Sequence, residues 1–290
     1  MTIHTRSTLP FRAAPVVMIL AAASLWIAYP CGAQAVAIDR GSRDYMLPDQ
    51  MSWKTTENGR VANLYGDPSK PGLYAYVVKH GPNTWSMPHF HDNDLFVTVL
   101  EGTMWVGTGT FDPQRTLALR AGSFVRDVAR GIHFEGTKDD GATLYVVGIG
   151  PSPDHPAQAG TTVAGPVSAN VIDPAISEIQ RIEDQPKESF VLYGDSSKPG
   201  LYLQYQRRAP NNWSMPHSHP IDRLLMVMGG TMLIGTGPSA DKTRTVAVPR
   251  GGFVHDIAHG VHYDGSGNDP MWLLTAGIGP TATINVDPPK

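Results

Sequence analysis

Between residues 73 and 149 short apolar runs alternate with turn-forming residues. The runs are LYAYVVK (73–79), LFVTVL (95–100), TMWVG (103–107), RTLAL (115–119), SFVRDV (123–128) and TLYVVGI (143–149). They are short and rich in β-branched and aromatic residues, the signature of strands. GPN, EGT, FDPQ, AGS and KDDG separate them, and each carries turn chemistry. No stretch of this region keeps apolar residues at a 3.6 period over a helix length. Short strands at regular spacing predict a sandwich or a barrel.

The same pattern returns. Residues 65–151 (YGDPSKPGLY…GIGP) align with 193–280 (YGDSSKPGLY…GIGP), with one extra residue in the second copy after position 110. A repeat of about 85–90 residues is too long for a solenoid and has the size of a small domain. The expected architecture is therefore all-β, with two barrels in tandem. The expected boundaries are an N-terminal extension over 36–64, a first domain over 65–151, a linker over 152–192, a second domain over 193–280 and a tail over 281–290. Pro, Gly, Ala and Ser dominate 151–170, and DPAISEIQRIE (173–183) reads as a short helix or turn within the linker.

Residues 1–35 belong to neither copy. Arg6 and Arg12 precede the apolar run APVVMILAAASLWIA, and AQA at 33–35 offers small residues for cleavage after Ala35. This is the pattern of a signal peptide, so a secreted or periplasmic protein is expected, with no membrane span in the mature chain. Removal of the segment takes the formal charge from −3 to −5 and removes Cys31, the only cysteine. The mature chain would then lack thiolate ligands, cysteine nucleophiles and disulfides. A mildly acidic chain with no basic run is a poor partner for nucleic acid.

The chemistry concentrates in histidines. WSMPHFH (85–91) and WSMPHSH (213–219) carry His89 and His91, and His217 and His219. On a strand, residues i and i+2 share a face, so each pair can point into a barrel. His133 in FVRDVARGIHFEG and His262 in FVHDIAHGVHYDG complete each set. Three imidazoles converging on one point suit a divalent transition metal, with up to two ions per chain. Preservation of a fold alone would not return three histidines to matching places.

These residues resemble the two motifs of the cupin superfamily. PHFHDNDLFVTVLEGT and PHSHPIDRLLMVMGGT are similar to the first motif, and AGSFVRDVARGIH and GGFVHDIAHGVH to the second. The resemblance covers both copies and implies a bicupin of two jelly-roll β-barrels, with the metal inside each mouth. It departs from the family at one point. The family's glutamate ligand would fall at Leu95 and at Arg223, and neither is acidic. Asp94 and Asp222 sit one residue earlier, with strand parity that points them outward. They remain candidates for a fourth ligand or an outer partner. Asp127 and Asp256 are candidate orienters of a histidine Nδ1–H, or simply turn or salt-bridge residues.

Three neutral ligands leave the metal charge uncompensated, which favours a small anionic or chelating substrate. Within the family such sites resemble iron dioxygenases acting on diketones or hydroxylated aromatics. Zinc or manganese in the same ligands would instead fit lyase, isomerase or hydrolase chemistry; copper and nickel are further candidate metals, and a non-catalytic periplasmic protein binding a metal or small ligand is the remaining alternative. The copies also differ. Leu95, Phe96 and Trp105 flank the first site, whereas Arg223, His255 and His259 accompany the second. Arg223 and His255 are the candidate catalytic residues. Arg223 would clamp a substrate carboxylate, or else pair with Asp222 at the surface. Trp85 and Trp213 either wall the pockets or belong to the core. A homo-oligomer is compatible with the sequence.

Overall fold

The computed structural model describes residues 37–157, 177–181 and 189–286. The signal-like segment lies outside these residues. Among the described residues there is no α-helix, and a single 3-10 turn spans Pro48–Gln50. Everything else that is regular is β-strand.

Each copy builds a barrel from two antiparallel layers. In the second barrel one layer runs in the order Arg43–Met46, Phe253–Asp256, Arg223–Gly229, Met271–Gly279, Gly200–Arg208, Ser189–Tyr193. The first barrel repeats this order with Ser177–Arg181, Ser123–Asp127, Leu95–Thr108, Ala142–Gly150, Gly72–His80 and Gly59–Tyr65. The opposite layer carries the histidines. It consists of His89–His91, His133–Gly136 and the far end of Leu95–Thr108 in the first barrel, flanked by Asp154–Pro156 and Leu117–Arg120.

The edge strands are exchanged between the copies. Arg43–Met46 lies before the first repeat in sequence, yet it pairs with Phe253–Asp256 of the second barrel. Ser177–Arg181 lies between the repeats and pairs back onto Ser123–Asp127 of the first barrel. This corrects the helix or turn expected over 173–183: Ser177–Arg181 is a strand. An edge strand needs one sheet to pair with, and SEIQR alternates well enough to cover that edge.

Strand parity explains the long apolar runs. Leu95, Val97 and Val99 enter the interior of the first barrel with Leu144 and Val146. Phe96 and Leu100 face the other way and join Tyr145 and Val147 in a core shared with Leu224, Met226, Leu274 and Ala276 of the second barrel. Both faces of this layer are therefore buried, and the run reads as continuously apolar rather than alternating. Each buried aliphatic side chain contributes about 1.5–3 kcal/mol relative to exposure. The expected strands 95–100 and 103–107 form one strand, Leu95–Thr108. Gly102, at φ 73°, lets the chain bend between the two layers without leaving the ladder.

Candidate metal centres

In each barrel the triad arises from two neighbouring strands. His89 pairs directly with His133 across the ladder, and His217 with His262. His91 and His219 follow two residues after the first histidine, so all three imidazoles share one face. One nitrogen from each of His89, His91 and His133 lies within 4.8 Å of the others, and the same holds for His217, His219 and His262.

In five of the six histidines the other ring nitrogen meets a backbone carbonyl; in His91, Nδ1 instead lies 3.2 Å from the carboxylate of Asp154. His89 Nδ1 bonds the carbonyl of Met87 at 2.8 Å, and His133 Nδ1 that of Gly131 at 3.0 Å. His217, His219 and His262 use the carbonyls of Met215, Ala282 and Gly260 at 2.7, 2.8 and 2.9 Å. A carbonyl only accepts, so Nδ1 carries the proton and Nε2 presents its lone pair. Nε2 of His91, His219 and His262 is buried without any hydrogen-bond partner. Buried polar atoms are normally satisfied, so unpartnered nitrogens facing one point fit a metal ion. Donors at about 2.1 Å from one ion lie roughly 3–4 Å apart, which falls inside the 4.8 Å that bounds these nitrogens. Both triads could therefore hold a divalent metal. Burial lowers the pKa of His219 to about 4, with the charge of Arg223 adding to the effect, and that of His262 to about 3. Neutral imidazoles are the form that binds metal.

The acidic residues fall differently from expectation. Asp94 and Asp222 do point outward, into the seam between barrels, where Tyr193 Oη and Tyr65 Oη donate to them at 3.4 and 3.0 Å. Asp127 and Asp256 face the metal side instead of orienting Nδ1. Their carboxylates lie 3.8 and 3.7 Å from Nε2 of His133 and His262.

The candidate catalytic residues are separated. Arg223 borders the second triad, but its guanidinium donates to Asp256 at 2.7 and 3.2 Å, not to Asp222. His255 is one residue off this parity and faces the seam, where it meets Asp222 at 3.2 Å and the ring of Tyr65 at 4.9 Å. It does not line the second pocket. His259 is exposed at φ 64°, and its N–H holds the carbonyl of His219 at 2.7 Å. Phe96 faces the seam and Trp105 lies under Lys138, so neither flanks the first triad. Trp85 does wall the first pocket, in space that Gly136 leaves open.

Sequence reasoning missed Arg43. This side chain is fully buried, and its Nε donates to Asp256 at 2.6 Å while Nη2 reaches Asp264 at 3.0 Å. Arg208 also pairs with Asp264. Burial opposes ionisation of Asp256, and the neighbouring guanidiniums, Arg43 foremost and Arg223 with it, overcome that and hold the carboxyl well below its usual range.

The cavities are unequal. The first measures about 540 Å³ and reaches inward along Tyr76, Val97, Met104, Val106 and Leu144. The second measures about 170 Å³.

Solved structures of similar fold accompany this geometry. Ylba of E. coli, described as a DUF861 protein, aligns with a TM-score of 0.59 at 11% identity, covering 86% of this chain and 95% of that one. A salicylate 1,2-dioxygenase variant from Pseudoaminobacter salicylatoxidans, in complex with gentisate, gives 0.59 at 10% identity, covering 84% and 85%. Oxalate decarboxylase of Bacillus subtilis gives 0.55 at 13% identity, covering 83% and 78%. No family model matches the sequence, and comparison with curated proteins gives no match. Two jelly-roll barrels, each with a histidine triad in its mouth, define a class of fold. The chain has this cupin-type fold twice over, with one triad in each barrel.

Proposed function

We propose that the protein is a metal-dependent bicupin enzyme, an oxidoreductase of the mononuclear non-haem iron dioxygenase type, working in its N-terminal barrel. One observation carries this reading: a triad of convergent imidazoles opens onto a cavity of about 540 Å³. That volume suits a small organic molecule. Similarity in fold to a salicylate dioxygenase supports the choice of reaction type. A bound ferrous ion would supply open coordination positions for substrate and dioxygen, together with the electrons for oxygen chemistry.

The chain's own residues shape the rest. His89, His91 and His133 would hold the ion; backbone carbonyls fix the rings of His89 and His133, and the Asp154 carboxylate lies beside Nδ1 of His91. Apolar side chains along the cavity exclude water, which strengthens electrostatic interactions within it. Glu135 shares the face of His133, with its carboxylate 3.9 Å from His89 Nε2; burial pushes its pKa up, but His89, His133 and a hydrogen bond from Ser86 hold it below the usual carboxylate range, so it stands at the wall as a carboxylate able to accept a proton. Glu57, Asp127, Glu135 and Asp154 line this cavity, and among the described residues no lysine or arginine does. Such a wall repels an anionic substrate. The substrate class we propose is therefore an uncharged chelating molecule, a diketone or hydroxylated aromatic, rather than a carboxylate.

Oxygen uptake by iron-loaded protein, measured over neutral diketones, catechols and matched carboxylates, tests the proposal. Uptake with neutral chelators is expected. Turnover without oxygen consumption would replace this reading with lyase or hydrolase chemistry, and stable metal binding without any turnover would make the protein a binding cupin.

A further inference from the structure

We infer that the two histidine triads are unequal metal sites: the N-terminal triad binds strongly with Asp127 as its counter-charge, and a buried chain of arginines keeps the C-terminal triad weak. This deepens the proposed function and rests on it for the assignment of the working barrel.

The register of the sheets makes the comparison residue by residue. Leu95 pairs with Asp127 where Arg223 pairs with Asp256. On the other side, Ser177 pairs with Asp127 where Arg43 pairs with Asp256. The same aspartate thus sits at the same distance from its triad in both barrels, between different neighbours. Asp127 accepts one hydrogen bond from Ser177 Oγ at 3.0 Å, and among the described residues no guanidinium lies on it. Asp256 accepts from Arg43 at 2.6 Å and from Arg223 at 2.7 Å.

The second barrel extends this into a chain, Arg223–Asp256–Arg43–Asp264–Arg208. Three guanidiniums against two carboxylates leave one net positive charge beside neutral imidazoles. The matching positions of the first barrel hold Leu95, Asp127, Ser177, Glu135 and His80. Two of these are acids and none is an arginine. A divalent cation gains from a free carboxylate and loses beside excess guanidinium charge, and the low dielectric of a barrel interior enlarges both effects. Freeing Asp256 for a metal would strip two arginines of a buried partner. Because Arg43 and Ser177 lie outside the repeated units, these two positions are free to differ while the triads stay alike.

The test uses full-length protein stripped with a chelator and titrated with Co(II), read by calorimetry and by the visible spectrum of the bound ion. The wild type should take one equivalent, with the second at least a hundredfold weaker. His219→Ala should keep the strong site and His91→Ala should lose it. Asp127→Asn, which preserves shape, should weaken it at least tenfold with an unchanged circular dichroism spectrum. Two equal equivalents, the reverse ranking of the histidine variants, or an unaffected Asp127→Asn would overturn the inference. Failure to bind cobalt at all would overturn both the inference and the proposed enzyme. One strong cobalt site, alongside iron-loaded protein that shows no turnover in the oxygen-uptake assay, would overturn the enzyme alone.

Discussion

Replacing Arg43 with methionine removes the centre of the buried ionic chain and keeps much of its aliphatic volume. Arg43 is fully buried and bonds Asp256 at 2.6 Å, Asp264 at 3.0 Å and the carbonyl of Tyr263 at 3.2 Å. Removing one partner of a buried ion pair costs about 3–5 kcal/mol. Both orphaned carboxylates retain a second guanidinium, Arg223 and Arg208, which places the expected loss at the lower end, ~3 kcal/mol. For a chain of this size that lowers the melting midpoint by about 6–12 °C. Ser177→Ala is the matched change in the first barrel, where one hydrogen bond to a carboxylate is lost. It should cost only about 1.5 kcal/mol. Urea and thermal unfolding of chelator-treated protein provide the assay. A loss below about 1 kcal/mol for Arg43→Met, or an equal loss for Ser177→Ala, would refute the reasoning.

Gly136→Val puts a side chain where the Trp85 ring lies 2.5 Å from an added Cβ, so the indole should leave the cavity wall and shift the tryptophan emission; unchanged emission would contradict the packing. At the seam, Tyr65→Phe removes a bond to Asp222 at 3.0 Å and Tyr193→Phe a longer one to Asp94 at 3.4 Å. Urea unfolding should show the first variant losing about 1.5 kcal/mol and the second less. Export is proposed from the charged, apolar and small residues of the first 35 positions. N-terminal sequencing of secreted material should begin at Val36, and an intact start would remove the proposal.

The alternation of short apolar runs carried the all-β class and the repeat carried the two barrels, because both depend on local pattern. The triads were legible for the same reason: His-x-His on a strand has only one geometry. Strand exchange was not legible. Nothing in RDYM or SEIQR says which of two similar sheets each will join, so Arg43 lay far from Asp256 in sequence and was overlooked. Parity held more information than was drawn from it. It placed Asp94 and Asp222 outward, and applied to FVHD it separates His255 from Asp256, sending only the aspartate toward the triad. Arg223 does border the site, but only the packed structure reveals that a buried aspartate already occupies its guanidinium.

The most direct test of the account is anomalous diffraction from crystals of the full chain loaded with iron or cobalt, collected at the edge of that metal. The account predicts a peak bounded by Nε2 of His89, His91 and His133, stronger than any peak beside His217, His219 and His262. Absence of a peak at both triads, or a metal held by other residues, would contradict it.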